Sequence, residues 1–232
     1  MQRSPLFALF ALGFLACNDG IEVTTDITVP ETATALSLNE LAGYYADTLP
    51  CASCAGIYTE LAILDDSTYF LSESYLGEQQ QPFGTMGRYS REGDVLQLNF
   101  SNDSARRFKI LEDRIMQLDK DGSEMVTGLD YSLEQASRPG NLLSNPFLIG
   151  GLLKIEKNQG NFIPCGLTAE WPLVADNGIK EATRFFAKQP AKLTEGVYVR
   201  ASVELQSGQD STGKNYQVKL NKISDQLANG CQ

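Results

Sequence analysis

The chain has 232 residues, no histidine, and 29 acidic against 19 basic side chains, for a formal charge of −10. Without imidazole, Ser-His-Asp and Cys-His nucleophile systems are excluded, as are the common zinc and copper(II) sites, so an enzyme would have to use carboxylates, Lys or Tyr. The acidic balance, with no basic cluster longer than Arg106-Arg107, argues against a nucleic-acid partner, and those two arginines are expected on a solvated strand face.

From the N-terminus, Met1 to Pro5 carries Arg3 and leads into the apolar run LFALFALGFLA, Leu6 to Ala16. This run is too short to cross a bilayer as a mature helix and has the length of a signal-peptide core, so residues 1–16 read as an export signal. Ala16 directly before Cys17 resembles the lipobox of bacterial lipoproteins, although Phe14 and Leu15 are bulkier than its commonest form. An ordinary secretory signal is the alternative. On the lipobox reading Cys17 becomes the lipidated first residue, anchored by acyl chains that contribute about 0.8 kcal/mol per buried methylene. Asn18, rather than Asp, follows it, which by resemblance to sorted lipoproteins implies the outer membrane, with the body facing the periplasm. Residues 17–37 are Thr-rich, acidic and without helical periodicity, a tether that would hold the folded part roughly 25 Å from the lipid. A short edge strand around Ile21 to Val29 is the competing reading.

Residues 38–138 form a succession of short alternating runs divided by turn residues, the pattern of an antiparallel meander. The expected strands are Ile57 to Leu64, Thr68 to Leu76, Gly84 to Arg91, Val95 to Phe100, Arg106 to Leu111, Ile115 to Leu118 and Tyr131 to Leu133. Closing such a sheet into a barrel removes its exposed edges. The segment SRPGNLLSNP carries turn-forming Pro and Asn, which places a linker at residues 139–146. Residues 147–232 hold apolar runs at Leu152 to Ile155, Trp171 to Val174, Val197 to Leu205 and Tyr216 to Ile223. Between the second and third lies IKEATRFFAKQ, with Ile179, Thr183 and Phe186 at helical spacing. Strands with one inserted helix suit a five-stranded barrel of the OB type, so the whole chain is expected to be all-β apart from one short helix.

If Cys17 carries lipid, Cys51, Cys54, Cys165 and Cys231 remain, an even number with three pairings, in a compartment where thiol pairs become disulfides. Their neighbours in sequence suggest Cys51–Cys54 and Cys165–Cys231. Residues after Cys54 alternate, with Ile57, Thr59, Leu61 and Ile63 on one side and Tyr58, Glu60, Ala62 and Leu64 on the other, so a strand comes next. A thioredoxin-like pair, which needs a helix N-terminus after it, is disfavoured. A zinc ribbon needs a second such pair. Copper(I) can be held by the two thiolates of Cys51 and Cys54, with Met86, Met116 or Met125 as a thioether, although core filling is the commoner use of methionine. On loop entropy, closing Cys51–Cys54 stabilises by about 2 kcal/mol and Cys165–Cys231 by about 4, so the short bridge can open without unfolding its domain. A rigid turn clamp is the alternative to such a switch.

The stretch YYADTLPCASCAGIYTELAILDDSTYFLSESYLG, followed by FGTMGRY, VLQLNF and MQLDKDG, resembles the N-terminal domain of NlpE-type outer-membrane lipoproteins. The matching positions run from Tyr44 through Leu49, Pro50, Cys51, Cys54, Gly56, Ile57, Thr59 and Leu61 to Asp66, Thr68, Tyr69, Tyr75, Gly77, Gly87 and Tyr89. More loosely, FIPCGLTAEWPL and the final cysteine are similar to the OB-type C-terminal domain of longer members, onto whose bridge Cys165 and Cys231 map. The resemblance implies a lipocalin-related small barrel, a tethered OB-like domain, and a non-enzymatic sensor of envelope stress or copper. Its implied partners are the membrane, through the anchor, and an envelope-stress kinase of the Cpx type or another envelope protein. A carrier is the rival: Leu61, Ile63, Tyr69, Leu71, Leu96 and Phe108 would line an apolar ligand, unless they simply fill a narrow barrel. For an enzyme, the adjacent carboxylates Asp65-Asp66 and Glu112-Asp113 are the candidates, in turns where solvated charge is the commoner role.

Overall fold

The computed structural model describes residues 41–78, 81–100, 104–137, 142–156, 159–175, 177–188, 195–207 and 216–231. The predicted signal, Cys17 and the tether lie outside them.

Eight strands come first: β1 (Gly43–Leu49), β2 (Ile57–Ile63), β3 (Thr68–Tyr75), β4 (Phe83–Glu92), β5 (Val95–Asn99), β6 (Ala105–Ile110), β7 (Arg114–Gln117) and β8 (Ser132–Ala136). Each pairs antiparallel with the next, and β8 returns to β1 through Tyr44↔Ala136, so the meander closes into a barrel without a free outer strand. Alternation drives the closure, because every second residue needs a dry side. Leu61, Tyr69, Leu71, Leu96, Leu98, Phe108, Ile115 and Leu133 point inward and are at most 1% exposed. Turn chemistry agrees with the strand ends: Asp66 accepts from the Thr68 amide at 3.0 Å, and Gly93 takes φ 60° between β4 and β5. The sequence does not single out β1, because both Tyr44 and Tyr45 are buried, on opposite faces, which erases the period-2 signal.

The second barrel is built from β9 (Phe147–Glu156), β10 (Gln159–Pro164), β11 (Trp171–Pro172), α1 (Asn177–Phe186), β12 (Val197–Ser207) and β13 (Tyr216–Gln226). β9 lies between β10 and β12, β13 pairs with β12, and β11 with β10. A parallel bridge from Leu173 to Val218, with the Val174 amide donating to the Val218 carbonyl at 2.9 Å, brings the third strand of this set to the fifth. With the helix between third and fourth strands, this is the OB connectivity. α1 packs mainly on β13. Of the expected row, Phe186 is buried and Ile179 packs half-buried against the core, but Thr183 faces solvent and donates its hydroxyl to the Ile179 carbonyl at 2.7 Å; Gly178 and Ala182 complete the buried side with Phe186. Residues i, i+4 and i+8 share a helix face, and the small ones let the helix sit close.

The two barrels share apolar surface. Tyr44, Ala62, Phe70 and Met86, outward on β1 to β4, belong to the same buried cluster as Phe147, Ile149, Trp171 and Phe186. Phe83 pairs with Leu148, and the Leu148 amide donates to the Pro82 carbonyl at 2.8 Å, so β9 continues the sheet beside β4. Phe147 lies on Gly84, where an added Cβ would stand 2.4 Å from the ring, and its ring centroid is 4.9 Å from that of Phe70. Leu142 and Leu143, within the segment read as a linker, are buried in this cluster.

Candidate functional site: two cysteine pairs

The turn between β1 and β2 holds Cys51 and Cys54 joined to each other, with Cα atoms 5.3 Å apart. Gly56 closes the turn at φ 148°, where a Cβ would lie 2.5 Å from the Thr48 methyl, so only glycine fits. The Gly56 carbonyl accepts from the Leu76 amide at 2.9 Å, which ties the turn to the end of β3. After Cys54 the chain enters strand β2, so no helix dipole acts on either sulfur. Both cysteines are half-buried, within reach of a small solvent-borne thiol.

Cys165 and Cys231 form the other pair, with Cα atoms 5.4 Å apart. Cys165 comes directly after β10, its amide bonded to the Gly150 carbonyl at 2.9 Å; the chain end reaches it after the Leu227 amide has bonded the Tyr198 carbonyl at 2.8 Å. The bridge lines a cleft of about 240 Å³ whose other walls include Gly84, Thr85 and Phe100 of the first barrel and Gly150 and Arg200 of the second. Cys17, the predicted lipidation site, lies outside the described residues.

Residues proposed for other roles are placed differently. Met86 is 1% exposed in the core between the barrels, which removes it as a copper ligand for the β1–β2 turn; Met116 and Met125 are half-buried on β7 and in the loop after it. Among the described residues, no group of three or more Cys, Asp and Glu is positioned to hold a metal ion. Leu61, Ile63, Tyr69, Leu71, Leu96 and Phe108 pack against one another in a single cluster at no more than 2% exposure, so these side chains fill the barrel themselves. Asp66 accepts bonds from the Thr68 amide and hydroxyl, and Asp113 pairs with Arg114 at 3.1 Å, so these carboxylates hold a turn and a surface ion pair.

Arg106 and Arg107 do not share a solvated face. They are adjacent on β6, so one must point inward; Arg106 is on the same side as Phe108 and pairs with Glu73 at 2.9 Å, both side chains being at most a quarter exposed. Beside them, burial pushes the Tyr69 phenol pKa up, partly offset by the Arg106 charge, and its hydroxyl donates to the Asn99 carbonyl at 3.1 Å. On the outer face, Tyr44 donates to Glu60 at 2.6 Å, and burial, with the Glu60 contact second, raises its pKa. Nothing short of the approach of β3 to β6 across the barrel could have matched Glu73 to Arg106.

Compared with known proteins, the sequence pattern of the NlpE N-terminal domain matches residues 45–128, from β1 across the closed cysteine turn to the loop before β8. The match takes in most of the first barrel and none of the second. Over 195 residues it is 29% identical to lipoprotein NlpE of Escherichia coli (strain K12), an alignment covering 82% of this chain and 79% of that one. Among solved structures it is similar to a lipoprotein from Shewanella oneidensis, at 30% identity and TM-score 0.39, over 44% of this chain and 96% of that one. It is also similar to the Cpx pathway activator NlpE from Escherichia coli, at 20% identity and TM-score 0.35, over 81% and 95% of the two chains. In the first barrel, which this pattern matches, the cysteine turn is closed and the interior is side chain throughout the described core.

Proposed function

We propose that this chain is a non-enzymatic outer-membrane lipoprotein, anchored through Cys17 and facing the periplasm, that reports envelope stress to a Cpx-type pathway. The observation that carries this is the NlpE N-terminal domain around the Cys51–Cys54 turn, in a chain related over most of its length to lipoprotein NlpE. Its chemistry favours sensing over catalysis: the sulfurs are its redox-reactive groups, and of the carboxylate pairs Asp65-Asp66 and Glu112-Asp113, Asp66 holds a turn and Asp113 an ion pair.

The disulfides are the redox-responsive positions of this proposal. Cys51–Cys54 closes a short loop and is half-exposed, so opening it costs little stability. Copper enters only then: the closed bridge offers no thiolate, whereas the opened pair offers two soft ligands of the kind Cu(I) prefers.

A Cpx-dependent reporter in a host lacking its own NlpE tests the main claim. Production of the full chain should raise reporter output and Cys17→Ser should not; an anchored chain that leaves the reporter silent contradicts it. Competition with a chromophoric Cu(I) chelator tests copper separately. Reduced wild-type protein should withdraw one copper that Cys51→Ser/Cys54→Ser leaves behind, and equal binding by both removes copper from the account.

A further inference from the structure

Three places among the described residues put Asn or Asp directly before Gly: Asp121–Gly122, Asn177–Gly178 and Asn229–Gly230. At such a step the glycine amide nitrogen can attack the side-chain carbonyl carbon of the residue before it, because no Cβ on the glycine blocks the approach. The backbone must turn until that carbon and nitrogen meet, so the surrounding fold decides which step reacts. Two of the three are held back. Asn177 opens α1 and Gly178 is buried, so helical dihedrals and packing fix the bond between them. Asp121 accepts from the Ser123 hydroxyl at 2.7 Å and from its amide at 2.9 Å, which lowers the pKa of the carboxyl and keeps it an ionised, poor electrophile. Asn229–Gly230 is not restrained in this way. It lies in the turn between β13 and Cys231, with Asn229 exposed and both residues bordering a solvent cavity of about 570 Å³. The Gly230 amide donates to the Leu227 carbonyl over a long 3.4 Å, and around the missing Gly230 side chain the nearest atoms are those of the Tyr198 ring, at an ordinary 3.7 Å.

We propose that Asn229–Gly230 is a modification site: in the folded protein Asn229 loses its side-chain nitrogen and becomes aspartate or isoaspartate, while Asn177 and Asp121 stay intact. The Gly230 amide gives its proton to hydroxide, and its nitrogen forms a bond to Asn229 Cγ. The Cγ–Nδ2 bond breaks and Nδ2 leaves as ammonia with a proton from water, which closes a five-membered succinimide. Water then adds to one of the two ring carbonyls. Attack at Cγ restores the ordinary chain with an aspartate, and attack at the main-chain carbonyl routes the chain through Cγ as isoaspartate. One water is consumed, one ammonia is released, and nothing is oxidised or reduced. The isoaspartate product adds one atom to the main chain between two fixed points: the Leu227 amide is bonded to the Tyr198 carbonyl at 2.8 Å, and Cys231 is joined to Cys165. The extra atom is therefore taken up where Gly230 rests on Tyr198, and a new negative charge enters the cavity that Glu195 also lines. No step returns the ammonia, so the change accumulates with the age of the molecule.

Incubation of the full chain in detergent and heavy-oxygen water at mildly alkaline pH, followed by digestion and peptide mass measurement, tests this. The peptide containing Asn229 should exchange its amide for a labelled carboxylate at least roughly tenfold faster than the peptide containing Asn177, with no isomerised Asp121, because the fold restrains only the latter two. In urea, Asn177 should rise to the rate of Asn229. Methyl transfer by an isoaspartyl methyltransferase should mark the aged folded protein, fall to background in Asn229→Gln and be unchanged in Asn177→Gln. The proposal is overturned if folded Asn229 keeps its amide while Asn229 in urea loses it, if folded Asn177 reacts as fast as Asn229, or if the methyl-acceptor signal survives Asn229→Gln.

Discussion

Tyr69 is wholly buried in the first barrel, its ring standing edge-on to Phe100 with centroids 6.2 Å apart. Burial raises its phenol pKa and, to a lesser degree, those of Tyr45 and Tyr89. Above the ordinary tyrosine pKa of about 10, the folded chain therefore holds more protons than the unfolded one, so this stability is complete below that pH and is lost as pH rises beyond it. Thermal melts should show a falling midpoint above about pH 10, and Tyr69→Phe should make the fall shallower; a midpoint indifferent to alkaline pH contradicts the burial of these phenols. Gly87 sits against the same ring, with a Cβ position 2.5 Å from the Asn99 carbonyl and 2.9 Å from Tyr69. Gly87→Ala should destabilise by about 1–3 kcal/mol in urea titration. Ser202 is 4% exposed and its hydroxyl has no partner among the described residues, so Ser202→Ala should be neutral or gain up to about 1 kcal/mol. The inward side chains were legible residue by residue from alternation. The roles of Arg106 and Arg107 were not, because a basic pair looks alike in sequence whichever of its members points inward.

Among the elements, the cysteine turn and β2 are the ones whose sequence carried most of their own structure, while β1 before them was not singled out. Pro50, two cysteines and Gly56 mark the turn, and the alternation from Ile57 onward marks the strand. β10 and the helix face were less visible. Gln159–Pro164 contains Gly, Asn and Pro, which read as turn residues until β9 and β11 are seen to flank them. The buried helix row of Gly178, Ala182 and Phe186 contains two small residues that no hydrophobicity count would select. The two bridges should separate in stability. Urea unfolding of Cys51→Ser/Cys54→Ser should show a loss of about 2 kcal/mol, and Cys165→Ser/Cys231→Ser a loss of about 4, in keeping with the lengths of chain they enclose.

At the scale of the whole molecule, the OB type of the second half was readable from four apolar runs and the place of the helix, with β10 missed, but the contact between barrels was not. Its trace is that some strands of the first barrel are apolar on both faces: Leu61, Ala62 and Ile63 on β2, and Tyr69, Phe70 and Leu71 on β3, are all buried. A strand covered on one side alone keeps polar residues on the other, so such runs imply a second layer. Phe147→Ala, at the centre of that layer, should cost about 3–5 kcal/mol and destabilise both barrels together.

The central claim is that Cys51 and Cys54 rest as a closed bridge that can open while the fold persists. Stepwise addition of dithiothreitol to the folded protein, with alkylation and mass measurement at each step beside far-ultraviolet circular dichroism, tests it most directly. The account predicts that both cysteines are unlabelled at the start and become alkylated while the strand signal is unchanged. Labelling before any reductant is added, or labelling that appears only as the strand signal collapses, contradicts it.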